Sequence, residues 1–167
     1  AIDDDNMLAD IQNRHNLDEE KAREVVHLSR GNYLNALHFI ETDEESKYHF
    51  DRFVSLMRMA YMKDVVGLLN WTEELAPVGR ENLKSFLFYA ARMIRENFIM
   101  NLQLDQIVYL TQEEKNFSSR FSQFIHTGNA RRIYNEFNRA YRDIQMNAHA
   151  KTILMDLSVQ LIKLLRV

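Results

Sequence analysis

Apolar residues recur along this chain at steps of three and four, the spacing that gathers side chains on one face of an α-helix. Phe50, Phe53, Val54, Met57 and Tyr61 keep that spacing, and Val65, Val66, Leu68, Leu69 and Leu75 continue it to Pro77. Leu83, Phe86, Leu87, Ala90, Met93, Ile94 and Phe98 predict a long helix that begins near Gly79. Phe117, Phe121 and Phe124 predict another within Glu113 to Ile125, and Gly128-Asn129 is a break. Beyond it, Ile133, Phe137, Ala140 and Ile144 form the stripe of an ordinary amphipathic helix. Ile107-Val108-Tyr109 has strand-like residues but finds no partner strand, so Asp105 to Leu110 is expected to be helical.

The N-terminal stretch reads the same way. Met7 to Asn13 predicts a short helical turn. Leu17 to Arg30 predicts a helix with an acidic first turn at Asp18-Glu19-Glu20, which suits the helix dipole, and an apolar side at Ala22, Val25, Val26 and Leu28. Gly31 closes it without a Cβ penalty. Asn32 then caps a second helix carrying Tyr33, Ala36, Leu37 and Ile40. Thr42-Asp43-Glu44-Glu45 has the composition of a new helix start. The expected organisation is therefore all-α, with a small helical region over 1–43 and a bundle of about five helices over 44–167.

The terminal helix has a wider apolar side than the others. Ile153, Leu154, Leu157, Leu161, Leu164 and Leu165 share one face, extended by Met155 and Ile162 to an arc of roughly 200°. A helix packed on a single core needs a stripe of only about 100°. The surplus means either a helix enclosed by its own bundle or one that meets a partner.

Composition narrows the picture. One proline and four glycines in 167 residues leave little turn chemistry for a β-rich fold. Zero cysteines exclude disulfides, a thiolate nucleophile and Cys-ligated zinc. Apolar residues are interspersed with charge, so no membrane span is expected, and no signal peptide opens the chain; a cytoplasmic protein fits. The net charge of -3 conceals an asymmetry: residues 1–50 hold twelve acidic and five basic side chains, residues 51–167 twelve and sixteen. The balance therefore changes from -7 to +4, as expected of two regions with different surroundings. The chain opens on Ala1 and Asp3-Asp4-Asp5, which reads as a fragment whose preceding part is absent.

The segment Leu28 to Phe39 contains Ser-x-Gly-x-x-x-x-Ala-Leu, with Gly31 at its centre. It resembles the helical lid of the AAA+ clamp-loader ATPases, which open ring-shaped sliding clamps for DNA replication. In the ATP-using members an arginine stands three residues after the glycine; here that position is Leu34. A second stretch is similar to the C-terminal collar domain of the delta-prime type of subunit in the bacterial DNA polymerase III clamp loader. Its matching positions are Asn147, Ala148, His149, Lys151, Asp156 and Leu157. The resemblance implies a non-catalytic piece of such a subunit, part of the lid followed by the collar. Its partners would be the other subunits of a hetero-pentamer, with sliding clamp and DNA reached indirectly. It implies no cofactor, metal or small-molecule ligand.

The residues carry no competing chemistry. No Gly-x-x-x-x-Gly-Lys-Ser/Thr phosphate loop is present. The six histidines are scattered; His38 and His49 would share a face only in an unbroken helix, which the Thr42 start signal argues against. Glu113-Glu114 reads as a solvated first turn, and Trp71 and the phenylalanines as core. Arg131 and Arg132 are different, since two cations in a first turn oppose the helix dipole. With Met155, Val159 and Ile162 they are the candidate subunit interface. The alternative is a free-standing helical module that binds a ligand or peptide in a bundle cavity.

Overall fold

The computed structural model describes residues 4–29 and 32–167, and the fold is all-α, without a strand among them. Eight helices run in chain order: α1 Asp4–His15, α2 Glu19–Ser29, α3 Tyr33–Met62, α4 Val65–Leu75, α5 Arg80–Asn101, α6 Gln112–Phe121, α7 Ala130–Gln145 and α8 Ala150–Leu164. Short 3-10 turns at Ala76–Val78, Asp105–Ile107 and Ser122–Phe124 punctuate them. The chain divides into two compact units, 1–48 and 49–167. The break expected at Gly31 lies outside the described residues.

In the first unit, Met7 and Ile11 from α1, Ala22, Val25 and Val26 from α2, and Ala36 and Ile40 from α3 bury one small core. Asn16 ends α1 in the left-handed region (φ 52°), and Asp18 accepts from the Lys21 amide at 2.8 Å to start α2. The Asn32 side chain accepts from the Leu34 amide at 3.0 Å, the capping role expected of it. Tyr33 donates to Asp10 at 2.6 Å, tying α3 to α1. An ion pair with Asp43 holds the Lys21 ammonium above its ordinary pKa.

The start signal at Thr42 is not used. α3 runs unbroken through it, and the Thr42 hydroxyl donates back to the His38 carbonyl at 2.9 Å, as a mid-helix threonine does. Asp43, the other expected cap, is the partner of Lys21. The helix that was expected to stop near Ile40 therefore continues to Met62. His38 and His49 accordingly lie on one continuous helix; His38 is exposed and His49 buried.

The second unit is built on α5. Ten of its residues are buried, including Leu83, Phe86, Leu87, Met93 and Ile94, so its core reaches most of the way round the helix. α7 packs along α5, α8 along α7, and α4 along α8. Phe53, Leu56 and Met57 of α3, Leu68, Trp71 and Leu75 of α4, Ile133 and Phe137 of α7, and Leu154, Leu157 and Leu161 of α8 complete one core. Gly67 sits where no side chain fits, since a Cβ there would come within 2.3 Å of Asp64 and 2.8 Å of the Met59 sulfur. Asp64 caps α4 by accepting from that same Gly67 amide at 2.9 Å.

The segment 105–110 is not the helix expected. A single 3-10 turn at Asp105–Ile107 gives way to extended backbone at Val108, and Gln103 before it takes φ 61°. Helical bonds are replaced by side chains of α5: the Tyr109 amide donates to Glu96 at 3.1 Å, and Arg92 donates to the Tyr109 carbonyl at 3.0 Å.

The α6–α7 connection is closed by one side chain. Asn129 is buried; its amide nitrogen donates to the carbonyls of Phe124 (2.8 Å) and Leu164 (3.0 Å), while its oxygen accepts from the His126 amide (2.9 Å). This joins the end of the aromatic turn, the start of α7 and the end of α8. Asn129→Ala leaves these buried groups unpaired and is expected to destabilise the protein by about 2–3 kcal/mol. Chemical denaturation checks this, with Asn129→Asp, which keeps the acceptor and loses both donors, as a second probe. A loss below about 0.5 kcal/mol for both would show that the clip is not needed.

Candidate interaction surface

The five residues proposed from sequence fall on the α7–α8 hairpin. Arg131 and Arg132 are exposed in the first turn of α7, and neither forms an ion pair among the described residues. Asn129 gives that helix no side-chain cap, so both cations stand at an end whose amides carry positive potential. Because Asn129 also binds Leu164, this end lies beside the last turn of α8.

The wide apolar arc of α8 splits in two. Leu154, Leu157, Leu161, Leu164 and Leu165 are buried. Met155 and Ile162 are half-buried, the latter against the core, and Val159 is 37% exposed. Most of the arc is thus consumed by packing on two sides, α7 and α4. What remains is the stripe Met155, Val159, Ile162.

That stripe has a neighbour that sequence reading missed. α4 and α8 run antiparallel, because Thr72 donates to the Met155 sulfur at 4.0 Å and Lys151 pairs with Glu73 at 3.1 Å, while Arg166 reaches Tyr61 just before α4. Val65, Leu69 and Glu73 follow one flank of α4 at steps of four, the flank that meets Lys151. Val65 is 55%, Val66 70% and Leu69 41% exposed. Val65 and Leu69, on the flank that meets Lys151, and the Met155–Val159–Ile162 stripe thus lie on two antiparallel helices as exposed or half-buried apolar residues, with Val66 further round α4. The missed signal was present: Val65, Val66, Leu68, Leu69 and Leu75 already spread wider than one core face needs.

The residues of the α7–α8 turn each have a local task. Asn147 adopts the left-handed conformation (φ 62°) that turns the chain, and its side-chain oxygen accepts from Arg80 at 3.0 Å. His149 caps α8 through Nδ1 facing Thr152. Lys151 pairs with Glu73, and Asp156 lies 3.7 Å from Arg139. Leu34 is 75% exposed on α3.

One buried cluster of titratable groups has a structural role. Glu114, expected in a solvated turn, is buried: it accepts from Tyr89 at 2.6 Å and Arg92 at 3.1 Å and closes a capping box with Thr111. α6 begins against α5, which explains the burial. The carboxylate is held by its partners. Among the described residues no group of three or more His, Asp or Glu side chains is placed to hold a metal, and no helix is long and apolar enough to cross a membrane.

Comparison with known proteins gives no match: no family model, no curated protein and no solved structure corresponds to the chain.

Burial, and then the hydrogen bond to Glu114, push the Tyr89 phenol above its ordinary pKa of 10.0. The protonated form is the one the fold favours. Its contribution is complete below pH 10 and falls as pH rises above it, by about 1.4 kcal/mol per pH unit. Denaturation between pH 9 and pH 11.5 is expected to show a steeper alkaline loss for the native sequence than for Tyr89→Phe. Parallel curves would mean that Tyr89 is not coupled to folding.

Proposed function

We propose that this chain is the lid-and-collar portion of a non-catalytic, delta-prime-type subunit of a bacterial DNA polymerase III clamp loader. Its role is to hold neighbouring clamp-loader subunits in a hetero-pentameric ring, with clamp and DNA contacted indirectly, in the cytoplasm. The apolar strip along α4 and α8 carries this reading. An antiparallel helix pair that buries its inner side and leaves Val65, Val66, Leu69 and Val159 facing water is a surface suited to a partner.

Three further observations support it. Two helical units of opposite charge balance follow each other, as expected of a lid and a collar. The residues that resemble the collar turn, Asn147, His149 and Asp156, perform turn, cap and ion-pair tasks whose side chains are not easily exchanged. Leu34 brings no cation to the position where an ATP-using lid has one. Burial of the strip contributes about 25 cal/mol per Å² of apolar surface before the cost of association is subtracted.

The test is assembly. Val66→Asp and Val159→Asp place charges on exposed positions, so each variant is expected to keep its helical spectrum and melting temperature. Mixed with cognate clamp-loader subunits, the pair is expected to weaken complex formation at least tenfold in analytical ultracentrifugation. Unchanged assembly would remove α4 and α8 from the interface. Calorimetry with magnesium and millimolar ATP is expected to show no saturable binding; a saturable isotherm would overturn the non-catalytic reading.

A further inference from the structure

α3 and α6 approach each other through rings. Phe50 meets Phe117 with centroids 5.9 Å apart, Phe53 meets Phe121 at 6.0 Å, and Tyr61 meets Phe124 at 4.7 Å. The paired numbers rise together, so the two helices run parallel. They are bridged on their inner side by phenylalanines, and the outer side stays open as a groove of about 800 Å³. Its floor is Phe50, Val54, Met57, Phe117, Phe121 and Phe124.

The groove has a direction in charge. Asp51 and Asn116 stand at the end nearer Phe50. Arg58 stands towards the Tyr61–Phe124 end, and Arg120, next to the Phe121 that meets Phe53, stands partway along; both are exposed and neither is in an ion pair among the described residues. Arg166 adds a third cation at the Tyr61–Phe124 end, lying 5.3 Å over the Tyr61 ring and donating to the Tyr61 carbonyl. No acidic residue lines that end of the groove. An apolar floor with a carboxylate at one end and arginines from its middle to the other end is complementary to an amphipathic segment whose acidic residues lie away from its first residue.

We propose that this groove docks a short linear peptide segment of another protein, with bulky apolar side chains on the phenylalanine floor and carboxylates against Arg58 and Arg120. Phe50 to Tyr61 spans about 16 Å along α3 at 1.5 Å per residue. An extended segment covers that length with about five residues at 3.3 Å each. The Asp51 end receives a cationic or N–H-rich residue, which fixes the direction of the segment. Arginine is suited to the carboxylates because its planar fork donates to both of their oxygens at once. The site is separate from the α4–α8 strip and does not depend on the clamp-loader reading.

The probe is Lys-Leu-Phe-Asp-Glu-amide with a fluorophore on its N-terminal amine through a glycine spacer, so that the lysine ammonium stays free, titrated with the whole chain and followed by anisotropy in 50 mM salt. Saturable binding is expected. The double variant Arg58→Glu/Arg120→Glu is expected to weaken it at least tenfold while the helical spectrum stays unchanged. A swapped probe, in which Asp-Glu is replaced by Lys-Lys, is expected to bind the double variant better than the native chain. Binding that ignores charge reversal, or no binding at millimolar chain, overturns the proposal. So does displacement of the peptide by single-stranded DNA or anionic vesicles at lower concentration, or a native chain that self-associates and loses this association in the double variant. Those outcomes assign the groove to nucleic acid, lipid or a second copy.

Discussion

A helix buried around most of its circumference must find partners for most of the polar groups it carries, and α5 imposes that demand on the second unit. Tyr89 and Glu96 are buried among its leucines, and so is Asn97, whose amide nitrogen donates to the Met93 carbonyl while its oxygen is left without a partner. Leaving such groups unpaired costs about 1–3 kcal/mol each. The surrounding chain is shaped to avoid that. α6 starts where its Glu114 can take the Tyr89 hydroxyl, and the linker before it passes close enough for its backbone to meet Glu96 and Arg92. The apolar side of α5 sets which helices pack, and its polar side sets where the connections run.

How much of this was legible depends on whether a residue's task is local. Helical spacing located the long helices because each face repeats over several turns. Asn32 was readable as a cap because capping involves its near neighbours. Thr42-Asp43-Glu44-Glu45 looked equally local, yet the helix runs through it, with Thr42 bonded back to His38 and Asp43 paired with Lys21 on a different helix. The same holds for Glu114, whose burial depends on α5, and for residues 105–110, whose backbone is satisfied by side chains a helix away. On the candidate surface, the half of the strip on α8 was found by counting its apolar arc. The half on α4 was readable by the same count, but only the packing of α4 against α8 shows that both halves lie on one antiparallel pair.

The second unit thus presents two unlike surfaces. The α4–α8 strip is aliphatic, sits on tightly packed antiparallel helices, and has charge only at the Glu73–Lys151 end and near Arg166. The α3–α6 groove is aromatic, lies between parallel helices that meet through their rings, and is graded from acid to arginine. A flat aliphatic strip favours a broad contact in which shape decides affinity, whereas a graded groove favours a narrow one in which charge decides direction.

The hold of α5 on Tyr109 reverses the usual relation between exposure and freedom to vary. Tyr109 is 81% exposed, and what α5 grips is its main-chain N–H and C=O, which any residue except proline supplies equally. Substitution is therefore expected to be tolerated widely at the conspicuous surface tyrosine and narrowly at Arg92 and Glu96. A comparison that ranks positions by visibility would misplace the constraint by a whole helix.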